Sequence, residues 1–403
     1  MRIAIFNDYQ LPLPAVKGGS VPSLINFILD QNEIEQKLDI DVYSCCNEAA
    51  ETAAKEYKHT RFVYSKDAEK IRFRTNLKFV LKNRFRIPFD LSMIPMPASA
   101  KKHFKKQKYD VVYISGYVRG ALPIIEIAKQ NGAKVIVHHH TVTDYLNEPT
   151  IKGAEIIEES DAVVFVSKFA ADYARTGTPN QNKKLRVFEN AIDTEKFAIE
   201  NRAAAREEIR QKYGIESDDT VVLFVGRMVE VKGALELIRA VNALNHEKKV
   251  KLLVVGGATY SSTKVSPYVQ KCLDEARNNP NIIFTGYINY KDMPKYYVAA
   301  DISTLISRCD EACGLVGIES MAAGLPVITT DRGGIGEYVI KDCKIVVGDG
   351  EDLVQRITSA LEELCENPEL RKTMGLCGVE RAKVFSKKDY YLRFVELLEN
   401  VVQ

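Results

Sequence analysis

ADISTLISRCDEACGLVGIESMAAGLPVITTDRGGIGEY, residues 300–338, reads in order as strand, loop, helix, strand and glycine turn. The stretch 301–306 (DISTLI), with Ile302, Leu305 and Ile306, suits a short strand, and the polar stretch 307–313 suits a loop. Leu315, Ile318, Glu319, Met321 and Ala322 fall at helical spacing. A helix is therefore expected over 314–323, stopped by Gly324 with Pro326 just beyond. A second strand follows over 326–330, and Gly333-Gly334 turns the chain into another helix. Strands alternating with helices in this way build a parallel α/β sheet.

Two carboxylates stand eight positions apart in this stretch, Glu311 in the loop and Glu319 within the helix. A helix entered from the C-terminal end of a strand offers free N–H groups, here on Gly314, Leu315 and Val316, that suit an anion. Glu311 precedes that anion site, and Glu319 lies about a turn behind its mouth. The pair can reach opposite ends of a long ligand with phosphate held between them, as in a nucleotide sugar.

Outward from this stretch, 403 residues exceed one ordinary core and imply two domains. With 46% apolar and 27% charged residues the composition is that of a globular protein. No run of eighteen apolar residues occurs, and MRIAIFNDYQ lacks a signal-peptide pattern, so a cytoplasmic protein is expected. The eight cysteines lack paired C-x-x-C spacing; Cys309 and Cys313 have no second pair, and reduced thiols are expected rather than zinc.

The start repeats the same logic. Residues 2–6 (RIAIF) form a strand, and the loop after it ends in Gly18-Gly19 before an amphipathic run over 21–29. Asp39-Ile40-Asp41 matches a metal-binding D-x-D by chance and reads as a solvated strand start. Residues 55–108 carry sixteen Lys and Arg against four acids, a net of +12, so the rest must carry −10 to reach the total of +2. Phe73, Leu77, Phe79, Val80, Leu81, Phe85, Ile87 and Phe89 interleave with these charges. The segment suits either an anionic membrane surface or a solvated helical face. No nucleic-acid-binding pattern accompanies it, so no nucleic-acid partner is expected.

Strands are expected at 110–115 and 133–137, the second running into His138-His139-His140. Alternation puts His138 and His140 on one side and His139 on the other, at the edge where open α/β sheets bind ligands. The strand 161–167 is expected to be the last of the first half. In the second half, the strand 220–225 ends at Gly226-Arg227, and Lys232 follows five residues later, just before a helix. That places a forked guanidinium and a point-charge ammonium over one strand edge. Strand-to-glycine edges recur at 251–257 and 281–286, the latter followed by Tyr287.

Glu311, Gly314, Leu315, Glu319, Gly324, Pro326, Gly333, Gly334 and Glu337 together resemble the E-x7-E signature and glycine loop of retaining glycosyltransferases of family four, as in bacterial surface-polysaccharide synthesis. The segment 189–197 is similar to the N-G-V-D…F string that closes the family's first domain, with Ala191 for glycine. The resemblance implies a GT-B fold of two Rossmann-like doubly wound domains facing across a cleft. The acceptor-side domain would span 1–195 and the nucleotide-sugar domain 196–385, with a C-terminal helix, 386–403, packing back on the first domain.

By the same resemblance Arg227 and Lys232 grip the diphosphate, Glu311 holds hydroxyls of the transferred sugar and Glu319 those of ribose. Gly18, Gly19, Gly226, Cys313, Gly314, Leu315 and Val316 line the donor, and Tyr287 lies by the base, with uracil preferred over guanine and thymine. Cys313 replaces the family's usual aromatic, which bears on the donor sugar. The resemblance also implies that one of His138, His139 and His140, with His139 or His140 preferred, stands beside the transferred sugar.

The implied reaction is retaining transfer of a hexosyl or N-acetylhexosaminyl group to a hydroxyl of a saccharide or lipid-linked acceptor, with no metal cofactor. A non-catalytic partner of another glycosyltransferase and a nucleotide-sugar epimerase would share the fold. A dehydrogenase is disfavoured because no G-x-G-x-x-G follows the first strand.

Overall fold

The computed structural model describes residues 1–68, 96–116, 120–142, 152–175, 184–197, 199, 201–244, 249–257 and 265–403. The chain divides into two compact units, 1–191 with 387–403, and 192–386.

The first unit holds seven strands: β1 (Arg2–Phe6), β2 (Asp39–Cys45), β3 (Thr60–Ser65), β4 (Val111–Ser115), β5 (Lys134–His139), β6 (Ala162–Phe165) and β7 (Leu185–Val187). Their order is β3-β2-β1-β4-β5-β6-β7, and every pairing is parallel. Strand alternation divides the side chains between two apolar layers. Ile3, Ile5, Val111 and Tyr113 pack with Leu24 and Ile28 of the helix Ser20–Glu35. Ala4, Phe6, Val112 and Ile114 face the opposite layer with Ile124 and Ile125 of the helix Ala121–Gln130. Each such fully buried aliphatic side chain stabilises the fold by about 1.5–3 kcal/mol.

The helix Lys387–Val402 belongs to this unit, as the resemblance implied. Its Phe394 ring meets Tyr113 edge-on at 4.9 Å, Tyr390 stacks on Phe188 at 4.7 Å, and the buried Tyr391 hydroxyl donates to Asn32 Oδ1 at 2.7 Å.

The second unit holds β8 (Thr220–Val225), β9 (Val250–Val255), β10 (Ile282–Gly286), β11 (Ile302–Leu305), β12 (Val327–Thr329) and β13 (Lys344–Val346), in the order β10-β9-β8-β11-β12-β13. All pairings are again parallel. Val222, Phe224, Leu252, Val254 and Ile302 pack with Leu237 and Ile238 of the helix Ala234–Asn242 and with Ile357 and Leu361 of the helix Leu353–Glu366. In each sheet the strand order reverses beside the first strand, between β1 and β4 and between β8 and β11. Open α/β sheets bind ligands at the carboxyl edge of such a reversal.

Three edge strands depart from the sequence reading. β7 follows the strand expected to be last, and β13 follows the glycine loop. β3 lies inside the basic segment, where Arg61 reaches Asp41. Asp41 is therefore no solvated strand start: it is fully buried, its oxygens taken by Arg61 and by the Tyr109 hydroxyl at 2.5 Å each, with Arg2 at 3.5 Å. A buried carboxylate is tolerated only when so paired. The apolar residues from Phe73 to Phe89 lie outside the described residues. Among the described residues no helix is long and apolar enough to cross a membrane.

Candidate active site

The carboxyl edge between β8 and β11 gathers the groups singled out in the second half. β8 ends at Val225, and Gly226-Arg227 turns outward, leaving the Arg227 side chain exposed. The chain then makes a short turn of helix at Glu230–Lys232 and enters the helix Ala234–Asn242 through Gly233, at φ 71°. A Cβ on Gly233 would lie 2.1 Å from the Ile306 carbonyl oxygen, so only glycine lets this turn lie against the end of β11. The Arg308 N–H donates to Val231 O at 2.8 Å across the same contact. This approach delivers Lys232 to Glu311, 79 residues away: Nζ bonds and ion-pairs with Oε1. Ser307 donates its hydroxyl to the same oxygen, and the Thr330 hydroxyl holds the Ser307 carbonyl at 2.5 Å.

The backbone of Glu311 is clamped from the other side. It bridges Gly333, and the Gly334 N–H donates to Glu311 O at 2.7 Å. At Gly333, φ 68°, a Cβ would meet Glu311 O at 2.4 Å and Glu311 N at 2.7 Å. The expected helix runs from Leu315 to Ala322, with Gly314 as its N-cap at φ 79°. Cys313 is buried beside that cap. The N–H groups of Gly314, Leu315 and Val316 have no acceptor within the helix, since hydrogen bonding begins with Gly317 N–H to Gly314 O at 2.9 Å. Arg227, Lys232, Glu311 and the mouth of this helix thus belong to turns at one sheet edge.

Glu319 lies deeper, only 6% exposed. The Tyr297 hydroxyl donates to its Oε2 at 2.5 Å, and the Tyr290 hydroxyl also bonds to the carboxyl. Burial raises its pKa to about 7, against the opposing pull of these two hydroxyls. Tyr287, just past β10, is half exposed.

In the first unit, Gly18 and Gly19 close the loop before the helix Ser20–Glu35, with Gly19 as its N-cap accepting from Ser23 N–H at 3.0 Å. The histidines stand at the carboxyl end of β5. His138 is fully buried, its Nδ1 on the Tyr113 hydroxyl at 2.5 Å. His140 places Nε2 2.9 Å from the Ser115 hydroxyl, and the two imidazoles lie 3.9 Å apart. His138 Nε2 and His140 Nδ1 have no partner among the described residues. His139 points the other way, 3.4 Å from the Thr141 hydroxyl and edge-on to Phe165. Burial lowers all three, His139 and His140 to about 3, so the cluster is neutral near pH 7. Neutral imidazoles here can offer or accept a hydrogen bond but carry no charge.

Ser307, Thr330, Tyr290 and Tyr297 carry no local signal of their roles. Ser307, Thr330 and Tyr290 sit in loops and Tyr297 in a helix; Ser307 is four residues from Glu311, while Thr330 and the two tyrosines are brought in by tertiary contact. Among the described residues no group of three or more His, Cys, Asp or Glu is placed to hold a metal ion.

Residues 36–196 match the family model "Glycosyltransferase Family 4", and residues 205–378 match "Glycosyl transferases group 1". Among curated proteins, the chain is 29% identical over 302 residues to the GDP-mannose-dependent alpha-(1-6)-phosphatidylinositol monomannoside mannosyltransferase of Mycolicibacterium smegmatis, covering 71% of this chain and 76% of the relative. Among solved structures, Anabaena HepE in complex with UDP superposes with TM-score 0.72 at 16% identity, covering 99% of this chain and 100% of the other. Sucrose-phosphate synthase of Thermosynechococcus elongatus superposes with TM-score 0.73 at 20% identity, covering 99% and 98%.

Proposed function

We propose, from the premise that this chain is a family-four-like glycosyltransferase of the GT-B fold, that it transfers a hexosyl or N-acetylhexosaminyl group with retention from a nucleoside diphosphate donor. UDP is the preferred nucleotide, and the acceptor is a hydroxyl of a saccharide or lipid-linked saccharide. The observation that carries this reading is the meeting of Lys232 with Glu311 at the edge shared by exposed Arg227 and the mouth of the helix Leu315–Ala322. A diphosphate leaving group gains negative charge as the glycosidic bond breaks, and fixed positive groups aimed at it lower the barrier. Lys232 then exchanges part of its hold on Glu311 for phosphate oxygen, freeing the carboxylate for sugar hydroxyls.

The acceptor oxygen approaches the face from which the diphosphate departs. The sugar–phosphate C–O bond breaks, the new C–O bond forms on the same side, and a leaving phosphate oxygen takes the acceptor's proton. Neutral His139 or His140 serves as a hydrogen-bonding partner for the transferred sugar. The acceptor class draws support from the basic segment, whose described Lys101, Lys102, Lys105 and Lys106 are all exposed and suit an anionic lipid surface.

The test is thermal protection by UDP, GDP and TDP, with product analysis by NMR for wild type and Lys232→Ala. One nucleotide should protect, an α-donor should yield an α-product, and Lys232→Ala should lower kcat by about 10²–10³-fold. Full activity in Lys232→Ala would rule out the enzymatic reading of this edge. Conversion of the nucleotide sugar without acceptor would identify an epimerase.

A further inference from the structure

We infer that Arg308, Asp349 and Arg332 form an ionic brace that sets Glu311 against Lys232, and that all three are positioning residues for the donor reaction. This rests on the reading of Lys232 and Glu311 as donor-site groups. Arg308 and Asp310 belong to the same loop as Glu311, and their side chains tie that loop to three other elements. Arg308 Nη1 donates to Glu236 Oε1 at 2.8 Å, four residues after Lys232 in the first turn of the following helix. Its Nε lies 3.4 Å from Asp349 Oδ1, in the loop after β13. The other oxygen of Asp349 takes Arg332 Nη1 at 2.8 Å, and Arg332 Nε returns to Asp310 Oδ1 at 3.0 Å.

The chain of charges therefore runs Glu236, Arg308, Asp349, Arg332, Asp310, and closes on the residue before Glu311. Isolated exposed ion pairs contribute little, because solvent screens them and flexible side chains resist one geometry. Three features set this network apart. Asp349 and Glu236 are only 14% and 12% exposed, each arginine spans two carboxylates, and both arginines sit beside backbone that already touches the site. The Arg308 N–H holds the turn that carries Lys232, at Val231 O, while Gly333 and Gly334, next to Arg332, clamp the Glu311 backbone. Asp349 joins the two halves: without its charge, the Lys232 side and the glycine-loop side are no longer tied through side chains.

The brace reaches the Glu311 loop through Asp310, whereas the turn carrying Lys232 keeps its own backbone bonds, Arg308 N–H to Val231 O and Lys232 N–H to Val229 O, so diphosphate affinity and sugar positioning can be separated. The experiment uses the full chain and whichever of UDP-glucose, UDP-N-acetylglucosamine and GDP-mannose protects it best against heat, with its free nucleoside diphosphate as the binding probe. For Asp349→Asn, kcat should fall about tenfold or more, as expected for small misplacement of a reacting-site group. The Kd of the nucleoside diphosphate should stay within about twofold, and Asp349→Glu should recover most of kcat, since it keeps the charge between the arginines.

Wild-type kcat in Asp349→Asn beside an inactive Lys232→Ala overturns the brace while leaving the functional reading intact. Parallel loss of kcat and nucleotide affinity also overturns it, because that is collapse of the site rather than misplacement. An active Lys232→Ala removes both. If Asp349→Asn fails to fold, Arg332→Lys supplies the same readout, keeping the charge but losing the two-armed grip.

Discussion

Replacing Glu319 by Gln tests whether that carboxyl is as buried as the fold requires. The folded group holds its proton up to about pH 7, against an ordinary value of 4.5. Folding therefore takes up a proton between those two pH values. The stabilisation from that proton is complete below about pH 4.5, shrinks as pH rises and is gone above about pH 7. A shift of this size corresponds to about 3 kcal/mol, at about 1.4 kcal/mol per pH unit. Glutamine keeps an acceptor oxygen for the Tyr297 hydroxyl but does not ionise. Its own amide hydrogens lose water, which adds a constant cost and leaves the pH dependence untouched.

The stability difference between wild type and Glu319→Gln should thus move by about 3 kcal/mol in favour of the variant from pH 4.5 to pH 8. For a unit of this size that is about 6–12 °C in Tm. Differential scanning calorimetry of both proteins at half-unit pH steps measures it. A difference that stays level within about 1 kcal/mol over that range would refute a desolvated Glu319. The same shift makes nucleotide binding pH-sensitive if ribose hydroxyls donate to the carboxylate. UDP binding would then release a proton near pH 6, seen as a buffer-dependent heat in calorimetry.

Gly333→Ala pushes a methyl into the Glu311 backbone at a left-handed φ, which alone costs about 1–2 kcal/mol. We expect lower thermal stability and a larger loss in kcat than in UDP affinity; unchanged kcat would mean that the clamp on Glu311 is dispensable. Flotation with vesicles containing phosphatidylglycerol should recruit the protein at low salt, each engaged lysine contributing about 1 kcal/mol, and binding should fade as salt rises. Equal binding to neutral vesicles would eliminate the electrostatic part of the lipid-acceptor reading.

Legibility followed the range over which each signal acts. The helix Leu315–Ala322 falls inside the stretch 314–323 that its apolar spacing predicts, because helical periodicity is local. The strands of the two sheet centres were equally readable, since strands buried on both faces become continuous apolar runs. The edge strands β3, β7 and β13 were not: Thr60–Ser65 mixes charge and aromatics, and the other two span three residues each. Asp41 shows the same limit. Its neighbours in sequence make it look like a solvated entry, whereas Arg61 and Tyr109, which bury it, come from distant segments.

The sequence by itself determined the alternation of strands and helices, the glycines that end them, and the residue types at each carboxyl edge. These depend on backbone sterics and on periodicities of a few residues. Only the tertiary structure decided that Lys232 meets Glu311, that Ser307 shares the contact, and that Glu319 is withdrawn onto two tyrosines. Those outcomes rest on parallel pairing of β8 with β11 and on a glycine close enough to Ile306 to forbid any side chain. Charge pairing and desolvation depend on distance in space, and no spacing along the chain encodes that distance.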